Sequence, residues 1–166
     1  MGEMNLERKS IGIRVEPKEI IYTILNKDEK DNVSYSVESI VVPKALENDV
    51  PRQLSFIRTT LYSIICEYNV EFAGLRTAEG NSNTSSTFRI NLEGVIQELF
   101  SDSTIKRYFA GTSTSIASRL GTNSTKIKDC CSGKENTFNL DSWNNKMNNN
   151  KRESVLTALA AIEGAY

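Results

Sequence analysis

The stretch Lys9–Leu25 restricts what this chain can fold into more than any other. Ile11, Ile13 and Val15 alternate with Gly12, Arg14 and Glu16, which is the period of two of a β-strand. Pro17-Lys18 supplies a turn, and Ile20–Leu25 returns as a second strand. Asn26–Asp31 is a charged turn, and Val33–Val42 makes a third strand that Pro43 ends. Three sequential antiparallel strands therefore form a meander at the start of the fold.

The pattern then changes period. Asp49 is suited to cap a helix, with Pro51 tolerated in its first turn. Val50, Leu54, Ile57, Leu61, Ile64, Ile65 and Tyr68 follow at spacings of three and four, one apolar helix face on which Cys66 is also expected in the core. Val70–Arg76 reads as a short strand, parallel to the first and buried on both faces. Ala78–Ser86 is a polar loop, and a second helix runs from Thr87 to Phe100 with Phe88, Leu92, Val95, Ile96 and Leu99 on one face. Ile105–Ala110 is a fifth strand, and a short helix is expected around Ser115–Leu120 within the Ser/Thr-rich segment 111–129. Residues 132–150 are polar and rich in asparagine, a loop or insertion that Trp143 is placed to anchor. Lys151–Glu163 closes the chain as a helix. The order is βββαβαβ followed by helices, in which strand one reaches strand four through a helical crossover.

A chain of 166 residues is expected to form one domain, here over 9–166. It contains no histidine, which removes Ser-His and Cys-His nucleophile pairs and leaves carboxylates or lysine for any general-base role. Cys130 and Cys131 are adjacent with no second cysteine pair, which argues against zinc. A net charge of −1 gives no global electrostatic footprint for nucleic acid, although a local basic groove remains open. No run approaches the roughly 18 apolar residues of a membrane span, and the first residues lack the apolar centre of a signal peptide. A cytoplasmic protein is expected, with no membrane partner and no cofactor.

Gly12-Ile13 on strand one, Glu71-Phe72-Ala73-Gly74 on strand four and Ala158-Leu159-Ala160-Ala161 on the last helix resemble the pattern of RuvC-type resolvases. These belong to the ribonuclease H-like superfamily. The segments Gly12-Ile13, Glu19-Ile20-Ile21, Gly74-Leu75-Arg76, Phe88–Gly94 and Ser103–Lys106 are similar to a small bacterial family of ribonuclease H-like proteins. The resemblance covers roughly residues 9–120 and the final helix. It implies an α/β fold with a five-stranded mixed sheet, three strands antiparallel and two parallel, and helices on its faces.

Active members of that superfamily need acids from strand one, strand four and the last helix to hold metal ions about 4 Å apart. Here the resemblance places Arg14, Leu75 or Arg76, and Ser154 with Thr157 at those stations. A shifted site from Glu16, Glu79 and Glu153 is the alternative, with Arg14, Arg76 and Arg152 close by to neutralise it.

Arg14 and Arg76, joined by Lys18 and Arg152, would instead hold a phosphate or carboxylate. The plain alternative is an internal network with Glu16, Glu79 or Glu93. Arg89 and Glu93 have the spacing of a helical ion pair. Arg119, Lys126 and Lys128 sit among hydroxyls in Thr112–Lys128, a mixture suited to nucleic-acid backbones but without a phosphate-loop motif.

Three functions follow from these residues: a non-catalytic interaction or scaffold protein on a nuclease-type fold, a nucleic-acid- or anion-binding module, and a divergent metal-dependent nuclease. A protein partner or a homodimer is expected for the first.

Overall fold

The computed structural model describes residues 7–79, 87–143 and 147–163. The strands are β1 (Arg8–Val15), β2 (Glu19–Lys27), β3 (Val33–Val41), β4 (Phe72–Arg76) and β5 (Arg107–Gly111). They form one sheet in the order β3-β2-β1-β4-β5. β1 to β3 are the antiparallel meander, and β4 and β5 add parallel to β1. The helices are α1 (Val50–Glu67), α2 (Thr87–Ser101), α3 (Ser113–Arg119), α4 (Ser124–Cys131) and α5 (Asn149–Glu163).

The alternation in β1 sends its two sets of side chains into two different cores. Ile11, Ile13 and Val15 pack with Ala73 and Leu75 of β4 beneath Ile57, Leu61 and Ile65 of α1 and Leu92, Ile96 and Leu99 of α2. The other face, Ser10, Gly12 and Arg14, lies under α5. α5 is correspondingly buried all round, from Ser154 to Ile162. α3 and α4 cover its outer side, with Ile116, Ile127, Cys130 and Trp143 completing this second core.

α5 approaches the sheet unusually closely because Gly12 and Gly74 stand opposite one another on β1 and β4. A Cβ at Gly12 would meet the Ser154 carbonyl oxygen and come to 2.9 Å from the Ala158 Cα. One at Gly74 would come to 2.8 Å from the Thr157 carbonyl oxygen. Polar groups in this dry contact are paired. The Ser10 hydroxyl donates to the Ala158 carbonyl at 2.7 Å, and the Thr23 and Ser154 hydroxyls share a hydrogen bond of 2.7 Å.

Several expectations change. Cys66 is exposed, because the buried stripe of α1 runs through Gln53, Ile57, Leu61 and Ile65 and leaves Val50 and Tyr68 outside it. Gln53 belongs in the stripe because its amide donates to the Leu46 and Glu47 carbonyls. Segment 111–129 holds the start of a second helix as well as the expected one: Asn123 caps α4 by accepting from the Lys126 amide. Trp143 does anchor the 132–150 segment, its Nε1 donating to the Cys130 and Glu135 carbonyls. That segment ends earlier than expected, at the start of α5, where the Asn148 side chain accepts from the Lys151 amide. The expected loop residues 80–86 and the asparagines at 144 and 145 lie outside the described residues.

The two glycine environments predict opposite outcomes. Gly12→Ala forces the α5 backbone away and should cost about 3 kcal/mol, lowering the melting temperature by roughly 6–12 °C. Gly94, in the middle of α2, is the control: a Cβ there would meet nothing within 4 Å. Gly94→Ala should raise stability by about 0.5–1 kcal/mol through helix propensity. Thermal denaturation followed by circular dichroism reads both.

Candidate functional site

The site forms where β1 and β4 end beside the first turns of α5. The parallel register sets Arg14 directly opposite Arg76, and both project from the face that α5 covers. α5 presents Glu153 to them one residue before Ser154, whose own side chain turns into the sheet.

The charges form a chain. Glu16 accepts from Arg14 Nε at 2.7 Å, and Arg14 Nη1 donates to Glu153 Oε1. The same Glu153 oxygen lies 3.1 Å from Arg76 Nε, an ion-pair contact without hydrogen-bond geometry. Arg76 Nη2 then donates to Glu79 at 2.9 Å, and its Nη1 to the Thr77 carbonyl. Burial alone would depress the Arg14 pKa, but Glu153 and Glu16 outweigh it and hold the guanidinium above its ordinary value.

Glu16, Glu79 and Glu153 are thus gathered into one network, as the shifted-site reading requires, but each is engaged by a guanidinium. Two arginines occupy the space a cation would need. Ser154 and Thr157 are fully buried, and the Thr157 hydroxyl donates to the Glu153 carbonyl at 2.7 Å. Among the described residues no three Asp, Glu, His or Cys side chains group as metal ligands. The residues described here do not fit a divalent cation.

Above the arginines opens a cleft of about 700 Å³, lined by Arg14, Arg76, Glu79 and Glu153 together with side chains from α3, α4 and the start of α5. Lys128 reaches it from α4 and Lys134 from the turn beyond. The Cys131 thiol lines it too, pushed up to about 12 by burial and by Glu153, and is therefore held as the neutral thiol.

The other predicted residues lie elsewhere. Arg89 pairs with Glu93 at 3.1 Å, as the helical spacing implied, and Glu93 also accepts from the Ala78 amide, tying the end of the β4 loop to α2. Arg119 stacks on the Phe109 ring at 4.3 Å, outside the cleft. Lys126 pairs with Glu135 at 2.9 Å. Lys18 is exposed and is not part of the cleft. Arg152, expected beside Arg14 and Arg76, faces the opposite way. Its guanidinium donates to the Trp143 and Cys131 carbonyls and rests against Gly133, where a Cβ would come to 3.1 Å.

The sequence reading missed Lys134, which lines the cleft, while Ser113 and Ser124, two of the hydroxyls in Thr112–Lys128, line it as well. Asn123 followed by Ile127, Cys130 and Cys131 at helical spacing was the signal for the helix that carries Ser124 there.

No family model matches the sequence, and none of the curated proteins matches it. Solved structures do. RuvC of Thermus thermophilus superimposes with a TM-score of 0.69 at 8% identity, over 93% of each chain. The same protein in complex with its Holliday junction substrate gives 0.67 at 8% identity, again over 93% of each. The yeast mitochondrial Holliday junction resolvase Ydc2 gives 0.54 at 18% identity, over 94% of this chain and 78% of that one. Identities this low carry the fold alone. The chain has the ribonuclease H-like fold in its RuvC-type form, with an arginine pair side by side on the two central parallel strands.

Proposed function

We propose that this protein is a non-catalytic interaction or scaffold protein built on a nuclease-type fold. One observation carries the reading: Arg14 and Arg76 stand opposite each other on β1 and β4 and share Glu153 of α5. These are the elements from which superfamily nucleases draw their metal-binding acids. A guanidinium repels a divalent cation, and a carboxylate already held by one or two guanidinium groups has little field left to attract it.

The partner of such a scaffold is a second protein or another copy of this chain, in a setting linked to nucleic acid and, following the smaller family it resembles, in a bacterium. A second reading, an anion-binding module, is favoured by Lys128 and Lys134. Both line the cleft beside Arg14 and Arg76, and neither forms an ion pair among the described residues. The shifted nuclease site of Glu16, Glu79 and Glu153 is the reading that the arginines oppose.

The proposal predicts that branched, single-stranded and hybrid substrates stay intact with Mg²⁺ or Mn²⁺. Cleavage that disappears in Glu16→Gln or Glu153→Gln would overturn it. The network also predicts a stability effect. Glu153→Gln leaves two largely buried guanidinium groups with one acid each in place of a shared one. It should cost about 3 kcal/mol, a melting temperature lower by roughly 6–12 °C, whereas removal of a true metal-binding acid commonly relieves repulsion.

A further inference from the structure

The cleft beside Arg14 and Arg76 has the chemistry of an anion site whose cations come from four separate points in the chain. Two are guanidinium groups from neighbouring strands, and two are the ammonium groups of Lys128 and Lys134. Both lysines are exposed and form no ion pair among the described residues. Arg76 is only 7% exposed, yet its Nε makes no hydrogen bond. Ser113, also buried, and Ser124 add hydroxyls to the same wall.

We propose that this cleft binds a compact, multiply charged phosphate anion directly, with no metal ion between. This rests on the reading of the site as non-catalytic and names the ligand class it takes.

Three features select that class. First, among the described residues the cleft offers four cations, Arg14, Arg76, Lys128 and Lys134, against three acids, Glu79, Asp129 and Glu153. Guanidinium and ammonium groups give a tetrahedral polyanion charge-assisted hydrogen bonds from several sides, more than a single carboxylate could use. Second, among the described residues no aromatic side chain lines the cleft, so they offer a run of nucleotides no stacking platform there. The net charge of −1 adds no global attraction for a long polyanion. Third, one acid can yield. Glu79 holds Arg76 from the cleft side, and its side chain is 52% exposed. Swinging it into water releases Arg76 Nη2 to the ligand, whose phosphate oxygens replace the lost carboxylate. Glu153 stays between the arginines and keeps them parallel.

Magnesium has the opposite effect here from its effect in a nuclease. It would neutralise the phosphate in solution, and Glu79 and Glu153 beside the arginines are already engaged by guanidinium groups.

Isothermal titration of the full chain with inorganic pyrophosphate, at low salt and in EDTA, tests the proposal. Saturable binding is expected, weakened at least about tenfold by Lys128→Ala combined with Lys134→Ala. Lys126→Ala, outside the cleft, should leave the affinity unchanged. Excess Mg²⁺ should weaken binding, and a short single-stranded oligonucleotide should bind less tightly than pyrophosphate. Both substituted lysines are exposed, and a thermal melt verifies that the double variant is folded. Absence of binding at millimolar pyrophosphate overturns the proposal. So do unchanged affinity in the folded double variant, tighter binding with Mg²⁺, and a preference for the oligonucleotide. Any of these leaves the non-catalytic reading standing, because that reading fails only on metal-dependent cleavage.

Discussion

The packing of α5 onto β1 and β4 is the contact on which the rest of the structure depends, and it works because two residues there have no side chain. Gly12 and Gly74 lie opposite one another in the register and open a trough across the centre of the sheet. The α5 backbone settles into it, close enough for Ser10 to donate to the Ala158 carbonyl and for Thr23 to meet Ser154. That closeness explains why α5 is buried on every side and why its sequence is small: Ala158, Ala160 and Ala161 with Ser154 and Thr157. It also explains the site. With the helix held so near the sheet, Glu153 reaches both Arg14 and Arg76, one residue pair further along the same two strands.

The charge arrangement follows from burial. Arg14, Arg76 and Glu153 have side chains between 9% and 17% exposed, so none of them can be left alone without a substantial desolvation cost. Two cations and one anion in that space would be unbalanced. Glu16 and Glu79, flanking the pair on the two sides, give each guanidinium a second acid, so the five groups alternate in sign along the chain of contacts. The ends of the two central parallel strands and the start of α5 thus gather alternating charges.

The outer wall of the cleft is built by a different device. Residues 132–143 contribute little regular structure, yet they are held both by apolar packing of Phe138, Leu140 and Trp143 and by hydrogen bonds to the backbone. Trp143 donates to Cys130 and Glu135, Asn136 brackets Leu140 through both its amide and its carbonyl, and Arg152 donates from α5 to Cys131 and Trp143. This holds α4 and the turn that follows it over the strand ends, which is how Lys128 and Lys134 come to share a cleft with arginines more than fifty residues away in sequence.

Much of this was legible in the chain itself. The meander, α1 and α2 follow from local periodicity, because a strand or helix face records its burial at spacings of two or of three and four. The mixed five-stranded sheet was implied by the resemblance instead. Arg14, Arg76 and the absence of acids at Ser154 and Thr157 could be read from short motifs, as could the Arg89–Glu93 pair. Cys66 was misplaced because a helix stripe is about a hundred degrees wide and only packing decides which edge of it is covered. Arg152 was misplaced because sequence neighbours on a fully buried helix point in different directions, and nothing local says which way the cleft lies. By itself, then, the sequence determined the elements, their order and which residue types stand at the ends of β1 and β4 and on α5. Tertiary structure alone decided that Glu153 bridges the two arginines and that Lys128 and Lys134 join them, because both depend on how closely α5 and α4 sit on the sheet, a distance set by side chains far apart in the chain.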